Sequence, residues 1–397
     1  MSELPRVYLD NAATSWPKPP AVYQAVDQFL REIGAPASRG GYSEAVAVAQ
    51  QVARTRSELA ELVGLSDPSH VIFTLNGTDA LNLVLYGLLR SGDHVVTTVV
   101  EHNSVLRPLA HLEAARHITV THVGCNSQGL VDPDDVRAAL KSNTRLVAIN
   151  HASNVSGAVQ PVAEIGQIAH AAGALVLCDA AQSLGHLPVD LNELHADFLA
   201  APGHKGLLGP LGTGVLAIRP GLADQLESVR QGGTGSRSEQ TLQPDELPDK
   251  FEAGNLNVPG IVGLSAGIAY LKSQGLGAIE AHGQALLRRL LEGLASIDGL
   301  RILGPAAADN RVPLVSVALP GYDPQEVALV LDAAHRIQVR AGLHCAPLIH
   351  QALGTYAAGG AVRISPGAFS TMAEVDAAVH ALAEMVAVES AATRHNR

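Results

Sequence analysis

One lysine, Lys205, stands where an apolar run gives way to a glycine-rich loop. The run is Phe198-Leu-Ala-Ala201, and the loop carries Gly203, Gly206, Gly209, Gly212 and Gly214. Such glycines permit tight turns and the close approach of a ligand. A lysine at the edge of a buried strand is costly as a free charge, so it either snorkels or does chemistry. The chemistry that suits it is imine formation with a carbonyl. Upstream, Ala174-Leu-Val-Leu-Cys-Asp179 ends an apolar run on an aspartate. A carboxylate that keeps a pyridinium nitrogen protonated, and a lysine that holds an aldehyde, are what pyridoxal 5'-phosphate requires of a protein. Gln182 and His204 accompany the pair. An ordinary loop lysine is the bland alternative, and this company argues against it.

Around these residues the text alternates between strand and helix. A strand from Val71 is expected to turn through Gly77 into a helix, and further strands are expected at 95–100, 118–123, 146–150, 175–179, 198–201 and 215–218. Helices are expected at 21–33, 43–63, 105–115, 133–140 and 162–172. Residues 34–42 read as a small-residue loop holding Arg39. Continuous β-branched runs separated by helices argue for a parallel sheet covered on both faces. Ligands of such sheets lie beyond the strand carboxyl ends, where Asn154, Asp179 and Lys205 fall, and His102 sits just past the strand ending at Val100. The turn Leu75-Asn-Gly77-Thr78 opens a helix, and its N–H groups with the Thr78 hydroxyl form a candidate phosphate seat. No GxGxxG follows the first strand and no Walker A pattern occurs, which weakens nucleotide readings.

Residues 221–256 are irregular and read as too polar for core, hence as functional loops. Helices at 259–271 and 278–294 follow. Short strands at 301–303, 313–318, 337–340 and 361–365, with helices at 325–334 and 373–388, then suggest a smaller α+β part. The expected division is a large domain over 20–258, and a small domain formed by 1–19 with 259–397.

Composition bounds the rest. The chain has 397 residues, 47% of them apolar, and a net charge of −11, which argues against nucleic acid or an anionic membrane as partner. Charged residues are only 16%, so apolar surface and an oligomer are plausible. No run reaches the length of a membrane span, and Met1-Ser-Glu-Leu-Pro-Arg6 does not read as a signal peptide. A cytoplasmic location is therefore expected. Cys125, Cys178 and Cys345 are too few and too scattered for a disulfide framework or a metal site. No metal is expected. Cys178 lies inside a strand and reads as core. Cys125 sits in a turn and reads as incidental.

Pyridoxal phosphate chemistry needs a lysine, a carboxylate for the ring nitrogen, a phosphate seat, a ring-stacking group and a clamp for the substrate carboxylate. Lys205, Asp179, Gly77-Thr78, His102 and Arg363 are candidates in that order. At this point the chain resembles fold-type I enzymes of the class V aminotransferase family, most of all the cysteine desulfurase and selenocysteine lyase branch. The matching text is Tyr8-Leu-Asp-Asn-Ala-Ala-Thr14, Phe73-Thr-Leu-Asn-Gly-Thr78, Glu101-His-Asn103, Asn154-Val-Ser-Gly157, Asp179-Ala-Ala-Gln-Ser183, Gly203-His-Lys205, Phe251-Glu-Ala-Gly254, Arg340-Ala-Gly-Leu-His-Cys345 and Val362-Arg-Ile-Ser365. The likeness runs in order through nearly the whole chain.

The resemblance implies an α/β fold of the fold-type I transferase kind and a homodimer whose 251–257 loop, Asn255 included, reaches the neighbouring site. It implies that His102 stacks on the cofactor ring, and that Asn154 and Gln182 lie near its phenolic oxygen. It implies that Thr78 and His204 hold the phosphate, and that Arg363 binds the substrate carboxylate with a fork that lysine could not replace. Cys345 would attack the sulfur of L-cysteine and become a persulfide, with Arg340 and His344 favouring the thiolate. A small buried apolar residue is the alternative role for this cysteine. Two positions depart from the family pattern. Pro202 stands where many members carry a phosphate-binding serine, and Asn255 where a threonine usually stands. Cys345 also lies on a short, proline-stiffened segment, as in the branch whose speed depends on a sulfur-acceptor protein.

The activity this implies is release of L-alanine from L-cysteine, or from L-selenocysteine, with sulfur passed to an enzyme cysteine. A selenocysteine lyase, a β-eliminating enzyme or an aminotransferase is the alternative within the cofactor class. A non-catalytic binding protein of the same fold is the alternative outside it.

Overall fold

The structure, a computed structural model, describes residues 5–37 and 41–395, with side chains described through residue 387. Arg39, marked from the sequence, lies outside the described residues. The described chain opens on a two-residue strand, β1 (Val7–Tyr8), and the helix α1 (Pro20–Gln28), which runs into a wider π turn at Phe29–Ile33. The large sheet follows as β2 (Val71–Thr74), β3 (His94–Thr98), β4 (Thr119–Val123), β5 (Thr144–Asn150), β6 (Leu175–Asp179), β7 (Phe198–Pro202) and β8 (Gly214–Ile218). Between these strands run α2 (Ser43–Leu62, ahead of β2), α3 (Gly77–Leu88), α4 (Asn103–Arg116), α5 (Pro133–Ala139) and α6 (Val162–Ala171).

The strand order is β2-β8-β7-β6-β5-β3-β4. Pairings from β4 through β7 are parallel, and only β8 runs against its neighbours β7 and β2. Every residue of β7 and β8 is buried, as expected of strands covered on both faces. One apolar cluster holds Val147, Val176, Leu199 and Val215 with α2, and the opposite face packs Leu146, Leu177, Phe198 and Leu216 against α3 and α4.

Beyond β8 come α7 (Val258–Gln274) and α8 (Leu276–Ala295). Strands β9 (Arg301–Leu303), β10 (Val315–Ala318), β11 (Ile337–Gln338), β12 (Arg340–Gly342) and β13 (Ala361–Ile364) follow, with α9 (Pro324–His335), α10 (Pro347–Ala352) and α11 (Met372–His395) among them. Strands β12-β13-β10-β9 form an antiparallel sheet, and β1 pairs with β11 in parallel. Val7 and Leu9 are buried among Leu290, Val315, Val317, Ile364 and Val375, so the start of the chain belongs to this second core. Helix α7 instead buries Val258, Ile261, Leu264 and Ile268 with the large-sheet cluster.

Three sequence expectations need adjusting. The run at 337–340 is two strands, because the chain leaves β1 after Gln338 and Arg340 pairs with Arg363 of the second sheet. Helix α4 begins two residues earlier than its apolar spacing suggests. His102 caps it, its Nδ1 accepting from Ser104 N–H at 3.0 Å, and histidine is not among the usual capping residues. The end of the 221–256 stretch is not too polar for the interior. Phe251 and Glu252 are buried, and Glu252 receives Arg56 through two bonds of 2.7 and 2.8 Å and the Phe73 N–H at 2.6 Å. A charge can enter a core when it is paired and hydrogen-bonded in this way.

Candidate active site

The carboxyl ends of adjacent strands converge on a cavity of about 290 Å³. Asn150 ends β5, Asp179 ends β6 beside it, and Lys205 follows β7 after two residues. The turn that carries Lys205 is tightly packed. A Cβ at Gly203 would stand 2.3 Å from Thr213 Oγ1, and one at Gly206 would stand 2.3 Å from the Leu184 carbonyl. The N-terminal loop holds the same turn from the other side. Ser15 N–H and Lys18 Nζ donate to the His204 carbonyl at 3.0 and 2.8 Å, and Ser15 Oγ donates to the Lys205 carbonyl at 3.0 Å.

Burial lowers the Lys205 amine to about 8, with the Asp179 carboxylate opposing. The Asp179 carboxyl is itself raised by burial, against the Ala181 N–H it accepts at 2.9 Å and the nearby Lys205 charge. A neutral amine is the nucleophilic form, so this lysine is ready to attack an aldehyde at mildly alkaline pH. Uptake of pyridoxal phosphate by cofactor-free protein is expected to quicken about tenfold per pH unit and level off above about 8. Stopped-flow absorbance measures this. A rate still climbing toward the ordinary lysine value of about 10.4 would contradict it.

His102 borders the cavity with its ring oriented by its cap. Nδ1 takes the Ser104 N–H and lies 2.8 Å from Ser104 Oγ, which in turn lies 2.7 Å from Thr78 Oγ1. Burial, and then the Lys205 charge, lower this imidazole to about 4, so it is neutral near pH 7. With Nδ1 accepting, the proton is on Nε2. Gly77 and Thr78 begin α3, where Asn76 caps by accepting the Asp79 N–H at 2.9 Å. A Cβ on Gly77 would meet Pro202 Cδ at 3.1 Å, so the helix start and the end of β7 touch.

Arg363 of β13 also borders the cavity and is 1% exposed. Its Nη2 donates to Asp10 Oδ1 at 2.8 Å and its Nη1 to the Asn154 carbonyl at 3.1 Å. Asn154 Nδ2 donates to the His344 carbonyl at 2.7 Å, and Gln182 Nε2 to the Ala12 carbonyl at 3.0 Å. Cys345 is exposed at the cavity edge, with Arg340 Nη2 3.8 Å from its sulfur. His344, named with Arg340 as favouring the thiolate, brings no positive charge to it. It is buried, and desolvation drives its ring well below the usual histidine range, so it is neutral. Cys178 is fully buried in β6 with its thiol pushed up by burial, and Cys125 is half-buried.

The cavity thus gathers Lys205, Asp179, His102, Asn154, Gln182, Gly77, Thr78, His204, Arg363 and Cys345. Asn255 is not among them. It borders a separate hollow of about 220 Å³ with Thr74, Gly212, Arg230 and Glu252. Sequence reasoning missed Ser104, which joins Thr78 to His102, and Asp10, the partner of Arg363. Glu101 adjoins His102 in the sequence. The Glu101 side chain is fully buried, accepts from Thr98 Oγ1 at 2.6 Å and Asn150 N–H at 3.1 Å, and is pushed up to about 8 by burial.

The donor set fits a ring that carries an aldehyde and a phosphate. A buried amine and a buried carboxyl share the cavity with a helix start. Asn154 Oδ1 and His204 Nδ1 are buried there without a partner.

Residues 7–378 match the Aminotransferase class-V family, and the chain belongs to it. Within that family it groups with the cysteine desulfurases, by sequence and by structure. A probable cysteine desulfurase of Methanothermobacter thermautotrophicus is 39% identical over 372 residues, which span 93% of this chain and 92% of that one. A cysteine desulfurase of Haloferax volcanii is 33% identical over 95% of this chain and 89% of its own. The apo structure of a cysteine desulfurase from Thermococcus onnurineus superposes with a TM-score of 0.90 at 35% identity, covering 96% of this chain and 94% of that one. The architecture is that of fold-type I transferases, with a mostly parallel sheet between helices.

Proposed function

We propose that this protein is a pyridoxal phosphate-dependent cysteine desulfurase that takes sulfur from L-cysteine, leaves L-alanine and holds the sulfur on Cys345. The single observation that carries the proposal is one cavity bordered by Lys205, Asp179, Arg363 and an exposed cysteine. An aminotransferase has no use for that thiol, and a binding protein has no use for the four together.

Pyridoxal phosphate, when bound, supplies an electron sink that makes the Cα–H of an amino acid acidic. The residues of the chain do the rest. Asp179 would keep a proton on the ring nitrogen, and His102 would support the ring. The N–H groups and hydroxyl at Gly77-Thr78, with His204, are placed for phosphate. Arg363 fixes the substrate carboxylate as a fork, with Asp10 holding the guanidinium from behind. Lys205 removes the Cα proton once its amine is free. Cys345 sulfur then attacks the substrate sulfur. A sulfur–sulfur bond forms, the Cβ–S bond breaks, and the electron pair of that bond stays on the carbon skeleton. Protonation at Cβ and return of a proton to Cα release alanine and leave a persulfide.

A homodimer, a cytoplasmic location and a sulfur-acceptor protein belong to the same reading. In support, Tyr23, Leu30, Ile33 and Val46 are exposed apolar residues around α1 and α2. Asn255 also lies away from the cavity of its own chain. No described helix is long and apolar enough to cross a membrane. The test is product analysis with purified, cofactor-loaded protein and L-cysteine under reductant. Alanine and sulfide in equal amounts are expected. A keto acid in place of alanine would make it an aminotransferase, and activity confined to L-selenocysteine would make it a lyase.

A further inference from the structure

Cys345 and the residue before it both have left-handed backbone, with φ of 58° and of 49° at His344. Side-chain-bearing residues avoid this region, and two in succession persist only where the surroundings impose them. Two hydrogen bonds reach these residues from distant parts of the chain. Asn103 N–H donates to the Cys345 carbonyl at 2.7 Å, and Asn154 Nδ2 to the His344 carbonyl at 2.7 Å. Within the turn, Ala346 N–H closes on the Leu343 carbonyl at 2.9 Å. Asn103 is the first residue of α4, immediately after the His102 cap. Its N–H is one of the donors that a helix start leaves without an intrahelical acceptor. Here that donor is turned on the carbonyl of the cysteine at the cavity edge.

We propose that the Asn103 backbone N–H, aided by Asn154, is the positioning group for the nucleophile, fastening Cys345 to the start of α4 so that the sulfur and the His102 ring are carried on one rigid unit. The role assigned to the sulfur rests on the desulfurase reading, whereas the fastening is a property of the folded chain. It explains how a short segment of unfavourable backbone keeps a thiol at the cavity edge without a strand or helix of its own. Asn154 thereby links its place beside the cofactor to the placement of the attacking group.

Proline at 103 tests this cleanly. It removes the N–H, suits the first position of a helix, and asks the preceding residue for extended backbone. His102 already has it, at φ −75° and ψ 155°. Asn103→Ala keeps the N–H and serves as control. Hydrogen exchange of residues 343–350 in the cofactor-loaded protein is expected to be about tenfold faster in Asn103→Pro and unchanged in Asn103→Ala. Turnover of L-cysteine should fall about tenfold in kcat, with KM and the visible cofactor band unchanged. Equal exchange in all three proteins overturns the fastening, whatever the activity. A wild-type protein that makes no alanine defeats the desulfurase reading, and the exchange comparison still decides the fastening. Should Asn103→Pro fail to fold, the Asn103 amide of the wild-type protein decides. Slow exchange there is expected, and exchange at the rate of a free amide overturns the proposal.

Discussion

Lys205→Ala should yield protein that lacks the visible absorbance band of the bound cofactor and produces alanine from L-cysteine at least about a thousandfold more slowly. The argument begins with burial. The amine is enclosed, lowered to about 8 and aimed into the same cavity as Asp179, so it is the nucleophile nearest to hand for an aldehyde. It also serves as the base at Cα, and a positioned base contributes about a hundred- to ten-thousandfold by itself. Lys205→Arg should fare no better, since a guanidinium stays protonated and forms no imine. Absorbance spectra and product assays on both variants check this. A retained band with near-normal turnover would remove Lys205 from the chemistry.

Cys345→Ala should separate the two halves of the reaction. The substitution leaves the cavity wall, Lys205 and Arg363 in place, so the cofactor band and the spectral change on adding L-cysteine should persist. Alanine formation should fall by about a thousandfold or more, because the nucleophile for the substrate sulfur is gone. Cys178 cannot stand in. It is fully buried within β6, where desolvation disfavours its thiolate. Cys125 is half-buried and does not border the cavity. A Cys345→Ala variant that still released alanine at the wild-type rate would show a reaction that expels sulfur without attack, as a lyase does.

Much of this arrangement is visible in the sequence because its signals are local. Lys205 stands at the junction of an apolar run and glycines, and Asp179 closes a β-branched run. Strand and helix periods place both at strand ends. What escaped is long-range or chemically unconventional. Asp10 meets Arg363 across 353 residues, and Arg56 meets Glu252 across 196, pulling a polar loop into the core. No spacing announces such pairs. His102 as a helix cap was hidden because histidine seldom caps, and with it went Ser104 and the earlier start of α4. The bond from Asn103 to Cys345 uses only backbone atoms, so no side-chain pattern could have shown it. His344 adjoins the cysteine in sequence, but neighbours in space bury it and keep it neutral.

The most direct measurement is the mass of the peptide containing Cys345 after the cofactor-loaded protein meets L-cysteine without reductant or acceptor. One added sulfur atom on Cys345, with one alanine released per sulfur held, is the expected result. Alanine released with Cys345 left unmodified, or sulfur found on Cys125 instead, would contradict the central claim that Cys345 is the sulfur-accepting nucleophile.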